Sequence, residues 1–385
     1  MKKIIFINQE TGPLLIDMIN EVCKKKIDTV LYTGEVIKTY AELDSRVKVR
    51  RLKMYRKNNN FQRIISWVVF FFQTLLFLMH DLKKETRIWV STNPPFAPWL
   101  ILFFKNISFV HVYDVYPNAL LALSAISKKS LIYKLFLLFN KKTFSKAKII
   151  FTPSDGMKKM LTVSASKEKI KVIPWWANTD FIQPIQKNDN KFINDNSLHD
   201  NFIVMYSGNL GLTHNIEKIL NTALELQGDT KVKFVIIGEG PKKKIVDNFE
   251  KKHQLENLLV LPFQDEDMLP HSLASADISI VLDSFSSDKS GESTASIPSK
   301  TYYLMAAGSV IYAESDSTSE LNNLIDKYNL GMCDSSNNTK GLIEFIRICK
   351  NNPEIFSMYK INSRKTSLNF TNANAKSLHD EMIKH

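Results

Sequence analysis

Residues 202–211 read Phe202-Ile203-Val204-Met205-Tyr206-Ser207-Gly208-Asn209-Leu210-Gly211, and this stretch decides the fold class. An apolar run of strand length, Phe202–Ser207, stops at Gly208; Gly211 follows, and a helical pattern begins at Asn215. Glycines at a strand end let the backbone approach a ligand, and the N-terminus of the following helix favours an anion. A purely structural turn uses the same residues, so the neighbouring segments must decide between the two readings.

The arrangement recurs on the C-terminal side. Val232–Ile237 reads as a strand ending in Gly238 and Gly240, and Asn257–Leu261 and Ile278–Leu282 read as further strands. A helix over Lys300–Ala307 leads into a strand at Val310–Ala313. Upstream, strands are predicted at Lys2–Ile7, Thr29–Tyr32, Arg87–Ser91, Ile107–Tyr113 and Lys148–Phe151, with helical stretches such as Leu14–Lys25 between them. This alternation predicts an α/β protein with open parallel sheets covered on both faces. The polar stretch from Lys187 through Asn201 reads as a linker. The 385 residues suit two domains, 1–190 and 200–367, with a C-terminal helix at about 368–385 returning to the first. Two doubly wound units joined in this way would hold a ligand in the crevice at the carboxyl ends of their strands.

The three cysteines, Cys23, Cys333 and Cys349, form no C-x-x-C pair, which argues against a zinc site or a disulfide framework and fits a reducing cytosol. The N-terminal apolar run is closed by Asn8-Gln9-Glu10, too early for a signal peptide, so a first strand is expected. The net charge of +12 is uneven: residues 1–190 hold 31 Lys+Arg against 14 Asp+Glu, and the remainder 20 against 25. Such asymmetry points the first half towards nucleic acid or anionic lipid, or reflects lysine-rich composition alone. Aromatic-interleaved basic motifs are missing, so no nucleic-acid partner is expected. Ile64–Met79 (IISWVVFFFQTLLFLM) is shorter than the roughly 20 residues that span a bilayer. It reads either as a buried helix or as a segment at a membrane interface. Arg50, Arg51, Lys53, Arg56, Lys57 and Arg63 precede it, and Pro98–Phe104 (PWLILFF) is a second apolar patch; basic plus apolar is the pairing of a protein resting on an anionic membrane surface.

Two segments carry chemistry. Lys242, Lys243 and Lys244 follow Gly240-Pro241 and would attract a pyrophosphate or form a solvated helix face. Ser296–Gly308 places Ser299 at a predicted N-cap, Lys300 beside free N–H groups and Gly308 at the C′ position.

Pro298-Ser299-Lys300, Tyr302 and Met305-Ala306-Ala307-Gly308 together resemble the donor-binding segment of glycosyltransferase family 4, and within it the subgroup that builds bacterial capsule and O-antigen repeats. Thr92-Asn93-Pro94-Pro95, Asp114-Val115-Tyr116-Pro117, Pro153-Ser154-Asp155-Gly156, Ser207-Gly208-Asn209-Leu210-Gly211 with His214, Pro262-Phe263-Gln264, Ala276-Asp277 and Ser319-Glu320 match that family in order. The resemblance implies the GT-B fold, two Rossmann-like doubly wound domains facing across a cleft. It implies retaining transfer of a hexosyl or N-acetylhexosaminyl group from a UDP- or GDP-linked donor to a polyprenyl-diphosphate-linked or other saccharide acceptor. It further implies a cytoplasmic enzyme, peripherally bound at the inner face of the plasma membrane, with no cofactor and no metal. Cationic side chains and helix N-termini would then stabilise the departing nucleoside diphosphate.

Donor-binding residues implied by the resemblance are Gly208, Asn209, Gly211, His214, Gly238, Gly240, Lys242, Gln264, Pro298, Ser299, Lys300 and Tyr303, with Lys300 also catalytic. Asp114 is the candidate for acceptor positioning or a base, or else caps a turn. The chain departs from the family's Glu-x7-Glu pair: Tyr303 and Ala295 occupy the two positions, and Glu292 is out of register. Asn209 and His214 stand where Arg and Lys commonly grip phosphate. Two alternatives stay open on the same fold: a nucleotide-sugar 2-epimerase, and a non-catalytic membrane-associated partner protein with a degenerate site.

Overall fold

A computed structural model describes residues 3–56, 59–122, 125–283 and 291–384. It divides into two compact units, each built on one parallel sheet.

The first unit comprises the chain up to Trp175, the described residues 291–295, and 372–384. Its strands are β1 (Lys3–Ile7), β2 (Asp28–Thr33), β3 (Lys48–Arg51), β4 (Thr86–Ser91), β5 (Ser108–His111), β6 (Ile149–Thr152) and β7 (Ile170–Val172), in the order β3-β2-β1-β4-β5-β6-β7. Central strands read as continuous apolar runs because both faces are covered: Ile4, Ile5, Phe6 and Ile7 of β1 are all buried. Ile5 pairs with Val30 on one side and Ile88 on the other, which fixes the register. Helix α1 (Pro13–Lys24) opens with Pro at its first position, where the missing N–H costs nothing, and packs against the C-terminal helix of the chain, Ala373–Ile383. Arg87 donates to the carbonyl of Met382 at 2.9 Å in the same contact region.

Helix α2 (Asn60–Asp81) contains the apolar run and extends it at both ends. Asn59 caps it by accepting from the Gln62 N–H at 2.8 Å. Phe70, Phe71 and Leu78 join the core of this unit, whereas Phe61, Ile64, Val68, Phe72, Leu76 and Met79 face out, with Phe61 74% exposed. The run is therefore neither simply buried nor free; one face is core and the other is bare. The second patch is different. It forms a 3-10 helix, Ala97–Phe103, whose Pro98, Leu100 and Ile101 are buried, so it is mostly core and only Phe103 is strongly exposed. Helix α3 (Leu131–Lys146) packs beside it, capped by Ser130, which accepts from the Tyr133 N–H.

The second unit comprises residues 176–283 and 296–371. Its strands are β8 (Phe202–Ser207), β9 (Val232–Ile237), β10 (Leu258–Leu261), β11 (Ile278–Leu282), β12 (Val310–Glu314) and β13 (Gly331–Asp334), in the order β10-β9-β8-β11-β12-β13. The order runs outward from β8 and reverses between β8 and β11. In open α/β sheets a ligand binds at the carboxyl end of such a switch point. The predicted linker is not one. Residues 191–195 form helix α4 (Lys191–Asp195), Phe192 and Ile193 are fully buried against β8 and β9 residues, and Asn190 donates to the carbonyl of His271. Three apolar side chains, these two and Leu198, suffice to dock an otherwise polar stretch, and the first unit ends at Trp175 rather than near 190.

Candidate active site

The head of the second sheet is built by glycines. Gly208 ends β8 with φ +148, and Gly238 ends β9 with φ +151. A Cβ on Gly238 would stand 1.9 Å from the Gly208 carbonyl oxygen, so the two strand ends touch backbone to backbone. Gly240 (φ +146) lies equally close to Leu210 and Asn209. A side chain at Gly238 or Gly240 would push the loops apart, and one at Gly208 would crowd the Lys300 side chain, which is the physical reason for glycine at these three positions. Gly211 is not in the left-handed region; it lies alongside Asn209 and His214, which a Cβ would meet at 3.3–3.4 Å.

Lys300 points into this head. It begins helix α7 (Lys300–Ala306), which comes later in the chain than α5 (Ile216–Glu225) and α6 (Lys243–His253). Its Nζ lies 4.2 Å from the centroid of the Tyr206 ring and 3.1 Å from where a Gly208 Cβ would be. The ammonium is buried and has no hydrogen-bond partner among the described residues. Burial pulls its pKa down to about 8, with Asp283, just past the end of β11, pulling the other way. The ring face offsets part of the desolvation. A buried cation without an acceptor is costly, and natural structures keep one where a ligand completes it.

His214 has a defined proton state. The Tyr206 hydroxyl donates to the Asn209 carbonyl at 2.6 Å, and His214 Nδ1 lies 2.9 Å from that hydroxyl and 3.0 Å from the same carbonyl. Nδ1 therefore carries the proton and Nε2 the lone pair. Burial, then the nearby charges of Lys300 and Lys242, hold the ring's pKa down to about 4. The imidazole is neutral at pH 7, so it suits a hydroxyl donor rather than a phosphate oxygen.

Several predicted residues are placed elsewhere. Lys242 grips both carboxylate oxygens of Glu217 at 2.8–2.9 Å and donates to the His214 carbonyl, so its charge is taken up by the loop it braces. Lys243 pairs with Asp247 along α6. Ser299 does not cap α7: its backbone is already helical (φ −57, ψ −30), which turns the hydroxyl away from the orphan N–H groups. Pro298 supplies the carbonyl that accepts from the Thr301 N–H. Gln264 follows the edge strand β10, two strands from β8, and its amide donates to the Pro262 carbonyl. Tyr303 is half-buried on α7, and Gly308 takes the expected left-handed C′ geometry at φ +72. Ala295 is buried in the core of the first unit, where the Ser154 hydroxyl donates to its carbonyl, so that position could not present a carboxylate without burying it. The side chain of Glu292 lies outside the described residues.

Asp114 belongs to the first unit. It follows β5 at the head of that sheet, and Thr92 Oγ1 accepts from the backbone N–H of Tyr113 (3.0 Å) and Asp114 (3.4 Å). The carboxyl keeps solvent contact, and crowding by surrounding atoms raises its pKa. Sequence reasoning passed over two features. One is Tyr206, whose ring carries Lys300 and whose hydroxyl orients His214; its place in an apolar strand hid it. The other is Asp265-Glu266-Asp267, a D-x-D sequence in the turn after β10. Among the described residues no group of three His, Cys, Asp or Glu side chains is arranged to hold a metal ion.

Known proteins bear on the fold and family. The family described as Glycosyl transferases group 1 matches residues 187–296. The probable glycosyltransferase WbjE of Pseudomonas aeruginosa is 27% identical over 317 residues, 77% of this chain and 75% of that protein. The putative colanic acid biosynthesis glycosyl transferase WcaI of Escherichia coli is 26% identical over 194 residues, 50% of this chain and 46% of that protein. Among solved structures, Anabaena HepE in complex with UDP and glucose superposes with a TM-score of 0.72 at 12% identity, covering 100% of both chains. Sheet order, switch-point lysine and relatives converge: the chain is a glycosyltransferase of GT-B fold, akin to the group 1 glycosyl transferases.

Proposed function

We propose that the protein is a retaining family 4 enzyme of capsule, O-antigen or exopolysaccharide synthesis. It takes a hexose or N-acetylhexosamine from a UDP- or GDP-linked donor and passes it to a lipid-linked saccharide at the inner face of the plasma membrane. The observation that carries the donor half is the buried Lys300 ammonium at the switch point of the second sheet, without a hydrogen-bond partner among the described residues. WcaI is named for colanic acid biosynthesis and HepE was solved with UDP, which supports the product class and makes UDP-sugars the first donors to test.

In this reading the bond between the anomeric carbon and the diphosphate oxygen breaks while an acceptor hydroxyl oxygen bonds to that carbon. Negative charge grows on the departing diphosphate, where Lys300 and the backbone amides after Gly208 stabilise it. The acceptor proton passes to a diphosphate oxygen. His214 accepts from a donor hydroxyl through Nε2, and Asp114 positions the acceptor. No metal or cofactor enters the scheme. The test is a panel of UDP- and GDP-sugars read by thermal stabilisation. One donor should raise the melting temperature with concentration, because it binds only the folded state. A panel in which neither UDP, GDP nor any of their sugars stabilises the chain contradicts the donor assignment.

A further inference from the structure

Helix α2 is long and apolar enough to cross a membrane by length and composition alone, about 33 Å at 1.5 Å per residue. Its packing argues otherwise. Phe70, Phe71 and Leu78 are part of the first unit's core, the Ser66 carbonyl accepts from Gln9, and Gln73 accepts from the Lys53 N–H. A helix tied down along one whole face cannot be surrounded by lipid. The opposite face carries Phe61, Ile64, Val68, Phe72, Leu76 and Met79, at steps of three and four residues, all exposed.

Helix α3 repeats the design. Leu131, Ile132, Leu135 and Leu138 are exposed, with Leu131 at 70%, while Phe136, Asn140 and Phe144 are buried. A ladder of rings fixes the two helices to each other: Trp67 and Phe71 of α2 meet Phe96, Phe96 meets Trp99, and Trp99 meets Phe136 and Phe139 of α3. Trp99 also donates to Asn140 at 2.9 Å. Charge identifies the occupant. Between residues 45 and 154 the chain has 19 Lys+Arg and only three acids, Asp81, Glu85 and Asp114. Asp81 is engaged by Arg50 and Tyr32. Lys134, Lys141 and Lys142 are exposed on α3 itself. A protein partner or second copy would need acidic surface to match; an anionic bilayer supplies it everywhere.

We infer that α2 and α3 form one rigid face that lies in the plane of an anionic bilayer, apolar side chains among the acyl chains and lysines at the headgroups. This rests on the membrane placement proposed above and specifies its contact surface. It anchors without spanning.

The test uses the full chain in a Cys333→Ser background, with a single environment-sensitive label at Leu135→Cys, Leu76→Cys or, as a control on the second unit, Lys251→Cys. With vesicles containing phosphatidylglycerol, the labels at 135 and 76 should both enter an apolar environment and the label at 251 should not. Changing Leu131, Leu135 and Leu138 together to Ser should weaken vesicle binding by about tenfold or more, with the donor-induced thermal shift unchanged. If the label at 76 inserts while that at 135 stays in water, α3 is no part of the face and only the single-helix placement survives. If the label at 135 is shielded without lipid and sedimentation gives a stable dimer, the face joins two copies instead. If the chain floats with neither anionic nor neutral vesicles, the membrane placement falls while donor binding stands untouched.

Discussion

The two sheets share one strand order around a central first strand, yet their heads are built for different work. At the head of the second, three glycines in left-handed geometry bring backbone to backbone, and one ammonium has no hydrogen-bond partner among the described residues. At the head of the first, polar groups close on one another: the Ser91 hydroxyl meets Asn8, Asn8 donates to the Glu10 carbonyl, and Thr92 accepts from the two N–H groups that lead to Asp114. The first unit's surplus charge is spread over its connecting segments, its edge strand β3 and helix α3. Topology alone thus does not distinguish the two heads; what sets the second apart is a buried ammonium with no hydrogen-bond partner among the described residues.

The largest effect expected from this contrast concerns Lys300. Lys300→Ala should cut turnover by on the order of 10²-fold or more while the fold persists. Normal turnover in a well-folded variant would erase the distinction between the two heads. Next come the glycines. Gly238→Ala places a Cβ against the Gly208 carbonyl at a φ of +151, so stability should drop by about 1–3 kcal/mol or more. Gly228→Ala, which meets nothing within 4 Å, should change the denaturation midpoint little. Equal losses at both positions would show that the second head is not unusually tight.

Outer charge should behave in the opposite way. Arg50 pairs with Asp81 at 3.0 Å and stacks over Phe77, so it is structural and a poor probe of lipid binding. Arg51, Arg56, Lys134 and Lys141 are exposed. Replacing those four with Gln should remove about 1 kcal/mol each of anionic vesicle binding, most visibly at low salt, and leave donor affinity alone. A matching loss of donor affinity would mean that the two functions are not separately housed.

A milder effect follows from pH. Only charged Lys300 attracts the donor diphosphate, and its pKa of about 8 means that the charged fraction falls as pH rises through that value. Affinity for a UDP-sugar, whose diphosphate does not titrate there, should decline above pH 8, by at most about tenfold per unit. It should be flat from pH 5 to pH 7, because His214 is already neutral above about 4. A decline centred on pH 6 instead would assign the donor contact to a histidine. Smallest of all, Tyr303→Glu should be tolerated within about 0.5 kcal/mol, since the side chain is only half-buried, and should tighten nucleotide binding slightly. Aggregation of that variant would show that the ring fills space a carboxylate cannot.

Strand cores and their glycine ends were legible in the sequence because burial on both faces writes continuous apolar runs. Strand β3 was not: Lys-Val-Arg-Arg is an edge strand whose charges face solvent, and it looks like a loop. The stretch at 187–201 was misread because three buried side chains, Phe192, Ile193 and Leu198, outweigh a dozen polar neighbours. The placements of Lys242 and Ser299 could not be read for a shared reason. Sequence gives the residue type at a strand or helix end, but whether a cation is free or a hydroxyl can reach depends on a distant partner, Glu217, or on one backbone angle. Lys300 was legible by type; its isolation was not, since that is a statement about every atom around it.

The most direct test of the account is the melting temperature of Lys300→Met, with and without the stabilising nucleotide sugar. At pH 7 both the folded and unfolded forms of Lys300 are protonated, so the full cost of burying its unpaired charge is present in the unliganded protein. Methionine keeps the apolar stem and removes that cost. The account predicts a higher melting temperature for the unliganded variant and no further rise with the donor. A lower melting temperature with the donor-induced rise intact would make Lys300 a structural residue and contradict the account.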